Sequence, residues 1–232
     1  MDILLSTSDY LVINKPAGIG MHQEGDEPGI VRLLSEQLGE TLYPVHRLDK
    51  VTTGVLLLAR HVAANRDLSL QFAERKVGKC YLALSDHKPS KKQGLIKGDM
   101  EKARGGSWKL SRSQDNPAIT RFHSCLLDGL SAESSFANPL RGFLLQPLTG
   151  KTHQLRVALK SQGSPILGDA RYGGTASDRV YLHAWQLSFS YQGQAVCVRA
   201  PLTVGEHFLC QGGALTSWAA SLLGTLSPNT AG

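Results

Sequence analysis

The first half of the chain alternates short apolar runs with one helical stripe. Residues 10–14, YLVIN, form an apolar run that Lys15-Pro16-Ala17-Gly18 ends, which predicts a strand followed by a turn. The stretch GIVRLLSEQLGE after Pro28 places its apolar residues on one helical face and ends near Gly39, so a helix is predicted there. Residues 54–59, GVLLLA, are continuously apolar and too short for a helix. They predict a strand that is buried on both faces.

The same reasoning extends to the rest of the chain. Helical patterns cover 62–75, 151–163 and 212–223, and strand patterns cover 79–84, 143–149, 181–189 and 194–200. The last two strands are joined at Tyr191-Gln192-Gly193, which predicts a hairpin. Strands outnumber helices and several are joined by tight turns. We therefore predict an α+β fold with a mixed, largely antiparallel central sheet flanked by helices.

The positive charge of the chain is concentrated in one segment. The 232 residues have a formal net charge of +6, and nine basic against three acidic residues give 88–121 the same net charge. Glycine and serine are common there and large apolar residues are few, which predicts a hairpin-rich, solvated insertion with an electropositive face. A solvated loop without a binding role fits the same composition. The concentration of charge favours a surface that contacts nucleic-acid phosphates.

Cysteine spacing and the N-terminus argue against other classes of protein. Cys80, Cys125, Cys197 and Cys210 have no metal-ligand spacing, which predicts reduced packing cysteines rather than a zinc site or a disulfide framework. The N-terminus has an acidic residue, Asp2, and no basic start, which argues against a signal peptide. No apolar stretch approaches the ~18 residues of a membrane span. We expect a cytoplasmic protein without a metal or a membrane partner.

The stretch PVHRLDKVTTGVLLLAR contains the candidate for chemistry. Asp49 follows a turn and precedes a buried strand, a position from which a rigid scaffold can present a reactive side chain. A nearby guanidinium would keep it ionised and able to act as a nucleophile or base. A structural salt bridge or a turn-forming cap fits the same residue. The chain has no G-x-S-x-G elbow, no phosphate-binding loop and no kinase catalytic loop.

Five motifs in order resemble the RluA-type pseudouridine synthases, in the short branch without an S4-like RNA-binding module. They are YLVINKPAGIGMH, HRLDKVTTGVLLLAR, KCYLAL, LTGKTHQLRVALKSQGSPILGDARYGG and YLHAWQLSF, and they run from about residue 9 to residue 201. A single H-R-L-D would be a weak signal, but five motifs in the family's order are too specific for a chance match. Two departures, Thr53 for a usual serine and Ala158 for a frequent histidine, affect no catalytic role.

The resemblance implies roles for three residues as catalytic groups. Asp49 matches the aspartate that forms a covalent adduct while uridine in RNA is isomerised, and the resemblance leaves open whether it acts at the ribose or at the uracil. Tyr81 matches the tyrosine that stacks on the uracil and accepts a proton. Arg156 matches the arginine that pairs with the aspartate. For Tyr81 and Arg156 the alternatives are a packed strand tyrosine and a surface charge.

The resemblance also implies a set of substrate-binding residues, which are His46, Arg47, Lys79, Lys151, His153 and Leu155. Arg47 would fill the stack that the flipped uridine leaves, and Leu155 would line the uracil pocket. Lys151 stands where many relatives have arginine and would contact phosphate as a point charge. Considered alone, each of the two histidines is more typical of a structural hydrogen-bonding residue.

The resemblance therefore implies a pseudouridine synthase catalytic fold with a central RNA-binding cleft. The catalytic domain would span 1–205, with the basic insertion at 88–121, and 206–232 would form a C-terminal helix and frayed tail. The partner would be RNA (tRNA or rRNA) and not DNA, with no cofactor, and the protein would act as a monomer. Two rivals are an RNA-binding protein without catalysis and a hydrolase using Asp49. The presence of Tyr81 and Arg156 argues against the first, and the lack of a second motif carboxylate argues against the second.

Neutralising Lys91, Lys92 and Lys97 should flatten the salt dependence of RNA binding. Each phosphate contact that is lost should reduce the slope of log K against log salt by ~0.7–0.9, because fewer counterions are released. Filter binding at several salt concentrations measures the slope. An unchanged slope would show that the segment is a solvated loop without a role in RNA binding.

Overall fold

A large sheet organises the computed structural model, which describes residues 1–127 and 139–226. The strands are β1 (Asp2–Ser6), β2 (Tyr10–Lys15), β3 (Tyr43–Pro44), β4 (Thr53–Ala59), β5 (Gly78–Ser85), β6 (Gln93–Gly98), β7 (Met100–Lys102), β8 (Trp108–Leu110), β9 (Ala118–Leu126), β10 (Arg141–Pro147), β11 (Leu182–Tyr191) and β12 (Gln194–Arg199). Ten of them form one sheet in the order β1-β2-β4-β11-β5-β10-β9-β6, with β12 beside β11 and β3 beside β4. Among the strands of the described residues, β7 and β8 pair only with each other.

Four helices pack on the sheet: α1 (Ile30–Leu38), α2 (Val62–Ala73), α3 (Gln154–Ser161) and α4 (Glu206–Leu226). Within the described residues, β4 and β11 form the one parallel pair, and the other strand pairs are antiparallel. The predicted α+β fold with a mixed, largely antiparallel sheet is confirmed. No helix in the described ranges has the length and apolar character needed to cross a bilayer.

Strand β4 is the centre of the core. All seven of its residues are buried, as the continuous apolar run predicts. Val55 and Leu57 pack in one cluster with α2, while Leu56 and Leu58 pack on the opposite face with α1. Because successive side chains of a strand point to opposite faces, a strand covered by helices on both sides has no position that faces solvent. The turn before β4 is therefore attached to the most rigid part of the molecule.

The basic segment 88–121 differs from the prediction at both ends. Strands β6 and β9 pair with each other and extend the central sheet beyond β10, so they are part of the main fold rather than a solvated insertion. Ile96 is buried in the core between the exposed Leu95 and Lys97, and Phe122 is buried next to the exposed Arg121, an alternation typical of a sheet with one solvated face. The predicted hairpin is present between them as β7–β8.

Two other boundaries also differ from the sequence pattern. Helix α4 begins at Glu206, six residues before the predicted 212–223 stripe, and buries Phe208, Leu215 and Ala219 against the sheet. The predicted frayed tail at 227–232 lies outside the described residues. Of the predicted packing cysteines, Cys80 is buried, whereas Cys197 and Cys210 are exposed.

Gly54→Ala should destabilise the protein strongly. Gly54 has a φ of +109°, and an added Cβ would overlap the Ala184 carbonyl of the neighbouring β11. Backbone strain and displacement of a packed strand should together lower the free energy of unfolding by about 2–5 kcal/mol. Urea denaturation measures the loss.

Gly39→Ala is the matched control for this change. Gly39 also has a positive φ, +69°, but its Cβ would enter open space. Only the conformational cost of about 1 kcal/mol remains. Equal losses in the two variants would show that the β4–β11 approach is not the constraint.

Candidate active site

An open cavity brings the nine predicted site residues together. Its volume is about 450 Å³, within the range typical of small-ligand sites. It is lined by segments 45–52 and 147–156, by the end of α2 and by β5. All nine predicted residues line it: His46, Arg47, Asp49, Lys79, Tyr81, Lys151, His153, Leu155 and Arg156.

A buried lysine, Lys15, binds backbone carbonyls of the turn that carries Asp49. Thr52 donates its backbone N–H to the Asp49 carbonyl at 3.0 Å, which closes the turn. The Lys15 side chain is fully buried, and its Nζ lies 2.8 Å from the Pro16 carbonyl, 3.0 Å from that of Thr52 and 3.4 Å from that of Lys50. Burial lowers the pKa of Lys15 to about 8, while the charge of Asp49 acts in the opposite direction. One cation therefore joins the end of β2 to the Asp49 turn.

The other end of this turn is tied to β11. Thr53 Oγ1 lies 2.7 Å from His183 Nδ1 and accepts a hydrogen bond from Arg179 Nη2 at 2.8 Å. His183 Nε2 is 3.1 Å from the Ala200 carbonyl, which can only accept, so Nε2 carries the proton and Nδ1 accepts from Thr53. Burial lowers the pKa of His183 to about 4, which keeps this neutral form. A hydroxyl is what the site requires, so serine and threonine are equivalent at position 53.

Arg156 connects two carboxylates. Its Nη1 lies 3.6 Å from Asp49 Oδ2, the contact that the resemblance implies. Its Nε and Nη2 form a two-pronged contact with Asp169 at 2.7 and 2.8 Å. The Arg156 side chain is 6% exposed, that of Asp169 is 1% exposed and that of Asp49 is 19% exposed. Burial works to lower the pKa of Arg156, but the two carboxylates, Asp169 foremost, outweigh it and raise that pKa above its usual value.

Tyr172 supports the same guanidinium from the side. The Arg156 Cζ lies 4.9 Å from the centroid of the Tyr172 ring, close enough for a cation–π contact. Tyr172 is buried and follows Asp169 in the turn Ala170–Tyr172. Asp169 and Tyr172 of one short turn therefore hold Arg156, one through its charge and one through its ring.

Tyr81 and Leu155 supply the apolar wall of the cavity. Tyr81 lies on β5 and packs against two core clusters, and Leu155 is 7% exposed in the first turn of α3. Burial, followed by the nearby charge of Asp49, raises the pKa of Tyr81 well above its usual value. The phenol is therefore neutral at physiological pH.

The two histidines line the cavity and also bond to protein groups. His46 Nε2 accepts the Leu57 backbone N–H at 3.0 Å, and its ring stacks on Phe72. Burial, with a contribution from Lys79, lowers the pKa of His46 to about 3. His153 Nδ1 lies 2.7 Å from the Tyr172 hydroxyl, and burial lowers the pKa of His153. Both rings line the cavity, and both are neutral parts of its wall.

The three cations of the predicted set sit at different depths. Arg47 is exposed at the rim of the cavity. Lys79 is half-buried, donates to the Thr149 carbonyl at 3.3 Å, and has a pKa lowered by burial and by Arg75. Lys151 donates through Nζ to Asn116 at 2.8 Å. The rim is therefore electropositive, which suits an anionic polymer.

Sequence reasoning missed the groups that hold this site in place. Lys15, Asp169 and Tyr172 lie inside the quoted motifs, so their motif positions were the available signal. Gln154 is a fourth: its buried amide bonds Thr149, the Lys151 N–H, Ile119 and Thr120, fixing the loop that leads into α3. Asp169 begins a short turn, and its carboxylate is committed to Arg156.

Comparison with known proteins identifies the family. A family model described as RNA pseudouridylate synthase matches residues 9–161. This chain belongs to the RNA pseudouridylate synthase family. It is therefore an enzyme that isomerises uridine to pseudouridine in RNA. The resemblance to RluA-type enzymes is confirmed.

Relatives and solved structures agree with this assignment. An uncharacterized RNA pseudouridine synthase of Haemophilus influenzae is 48% identical over 90% of this chain and 91% of its own length. The ribosomal large subunit pseudouridine synthase C of Escherichia coli is 34% identical over 88% of this chain and 67% of its own length. The structure of human RNA pseudouridylate synthase domain containing 1 has a TM-score of 0.74 and 27% identity, and the match covers 98% of this chain and 96% of that one.

Arg156→Leu should reduce stability and activity together. The Asp169 side chain is 1% exposed and would lose its counter-charge. An orphaned buried charge should lower the free energy of unfolding by about 3–5 kcal/mol. Urea denaturation measures stability, and tritium release from RNA labelled at uridine C5 measures activity.

The double variant Arg156→Leu/Asp169→Leu separates the two effects. Replacing both charges with apolar groups should restore most of the lost stability, because no buried charge remains unpaired. Activity should stay as low as in the single variant, because Asp49 still lacks its partner. A double variant as unstable as the single one would contradict the ion-pair explanation.

Proposed function

We propose that Asp49 carries the isomerisation as the catalytic carboxylate, with Arg156 as its counter-charge and a uridine of structured RNA as the substrate. The observation that carries this proposal is the ion pair of these two side chains, 3.6 Å apart, on the wall of the cavity. The aspartate is partly accessible while the arginine is buried behind it. A ligand in the cavity therefore meets the carboxylate, and the guanidinium supplies its counter-charge.

The reaction requires a reactive carboxylate in a shielded site. The bond between ribose C1′ and uracil N1 breaks, the base rotates, and a bond forms between C1′ and C5. C5 loses a proton and N1 gains one, so atoms and electrons balance without an oxidant or reductant. The nucleotide must leave the base stack to reach the cavity, and a closed wall then keeps the detached base in place. We propose that no metal or organic cofactor takes part, because the reaction is a redox-neutral rearrangement.

Tyr81 is proposed to pack on the uracil and to accept the C5 proton of the rotated base. Its raised pKa keeps the phenol protonated, which suits packing against an uncharged ring. The phenol oxygen can then take the C5 proton only as its own proton leaves to another acceptor. Leu155 provides the opposite apolar contact.

The cations at the rim are proposed to bind the RNA around the flipped nucleotide. Arg47 is exposed, and its planar guanidinium suits the gap that the uridine leaves in the stack. Lys79 and Lys151 line the cavity and would contact phosphates as point charges. His46 and His153 would contribute shape to the wall rather than charge.

Ribosomal RNA is the first candidate substrate and transfer RNA the second. The Escherichia coli relative is named for the large ribosomal subunit, and it is 34% identical to this chain. We further propose that the protein acts in the cytoplasm as a monomer on RNA and not on DNA. A hydrolase is disfavoured, because the second carboxylate that it would need, Asp169, is buried against Arg156.

Asp49→Asn should abolish isomerisation without abolishing RNA binding. The amide keeps the size of the carboxylate but loses its charge and nucleophilicity. Pseudouridine mapping of total RNA should show sites that disappear in cells lacking this gene and that the wild-type gene restores but the Asp49→Asn gene does not. RNA affinity, measured by filter binding, should change by less than about twofold, since phosphate contacts dominate it.

Asp67→Asn is the matched control, because Asp67 is exposed on α2 and outside the cavity. It should restore every site that the wild type restores. Restoration by Asp49→Asn would overturn the catalytic assignment. The class of RNA in which the sites are lost decides between ribosomal and transfer RNA.

A further inference from the structure

The hairpin formed by β7 and β8 is a weakly attached part of the molecule. Its strands have three residues each and pair only with each other, whereas the other strands join the large sheet. A short two-stranded ribbon is marginally stable by itself, so its position depends on what it contacts. Lys102 and Arg104 are exposed on it.

This hairpin rests on the turn that holds the catalytic arginine. The Trp108 backbone N–H of β8 donates to the Tyr172 hydroxyl at 3.1 Å. Arg171 Nη1 donates to the Gly105 carbonyl in the tip of the hairpin at 2.8 Å. Both contacts reach the short turn that begins at Asp169, whose carboxylate binds Arg156.

Tyr172 contacts both Arg156 and the hairpin, through different parts of its side chain. Its ring lies beside the Arg156 guanidinium, and its hydroxyl oxygen accepts from Trp108. The hydroxyl also lies 2.7 Å from His153 Nδ1 on the wall of the cavity. Because its oxygen already accepts a hydrogen bond from the Trp108 N–H, its own O–H can donate to His153 Nδ1. One buried side chain therefore touches the hairpin, the cavity wall and the arginine.

We propose that Tyr172 is a positioning residue that couples the β7–β8 hairpin to the ion pair of Arg156 and Asp49. When the exposed cations of the hairpin bind the RNA backbone, the hairpin is fixed in contact with the Ala170–Tyr172 turn. The Tyr172 ring then sets the orientation of the Arg156 guanidinium. The chemical step is then fast only on RNA that also engages the hairpin. This proposal rests on the proposed role of Arg156 as the counter-charge of Asp49.

Tyr172→Phe tests the coupling, because it keeps the ring and removes both hydroxyl contacts. The substrate is total RNA from cells lacking this gene, labelled with tritium at uridine C5, with enzyme in saturating excess. We expect the single-turnover rate to fall about tenfold, as for loss of a buried hydrogen bond that supports the reactive geometry. The RNA dissociation constant should change by less than about twofold, since no phosphate contact is lost.

A double-mutant cycle decides whether the hairpin acts through Tyr172. Lys102→Gln/Arg104→Gln should slow the saturating rate in the wild-type background and cause no further slowing in the Tyr172→Phe background. Lys91→Gln/Lys92→Gln removes the same charge outside the hairpin, and its effects should multiply with those of Tyr172→Phe. A folded fraction above nine-tenths, checked by thermal denaturation, is required of each variant.

Full multiplication of the hairpin and Tyr172→Phe effects would overturn the coupling, as would hairpin variants that change affinity alone. These outcomes differ from a failure of the proposed function. In that case the wild-type protein would release no tritium, or the Asp49→Asn protein would release as much as the wild type.

Discussion

Arg156 is the group on which the geometry of the site depends, because one buried guanidinium contacts carboxylates from two distant parts of the chain. Asp169 takes the closer, two-pronged contact at 2.7 and 2.8 Å, and Asp49 takes the remaining nitrogen at 3.6 Å. A buried ion pair is seldom a net source of stability, because desolvation offsets the Coulomb attraction. Its value here is orientation: Asp169 holds the arginine, and the arginine presents a fixed positive charge to Asp49.

The aspartate itself is positioned from two sides. Lys15 binds the carbonyls around the Asp49 turn from the end of β2, and Thr53 is tied to His183 on β11. Between them, Gly54 allows β4 to approach β11 more closely than a side chain would permit. Three neighbouring strands therefore fix one turn, and the fully buried β4 makes this support rigid. This arrangement requires burial of the Lys15 ammonium group, which lowers the pKa of Lys15 to about 8.

Much of the fold follows from local patterns, and the errors have identifiable causes. The run 54–59 was predictable because a strand buried on both faces is continuously apolar. The helix α1 was predictable because burial of one face leaves an apolar stripe with helical periodicity. Strands β6 and β9 were interpreted as part of a solvated insertion because β6 lies at the edge of the sheet and half of its residues are exposed. Strand β3 has two residues, too few for any periodicity. Helix α4 was predicted too short because Gly212 and Gly213, which are poor helix formers, separate its first turns from the apolar stripe that follows.

The sequence by itself determined the α+β class, the family and the set of side chains that line the cavity, because these depend on local periodicity and on the order of motifs. The tertiary structure alone decided which partners those side chains have. Asp169, rather than Asp49, is the closest partner of Arg156, and Lys15 and Tyr172 support the site without any local signal of that role. The physical reason is that a periodic pattern records which face of an element is buried. Which group lies opposite depends on strand register and helix docking, which bring together residues far apart in the chain.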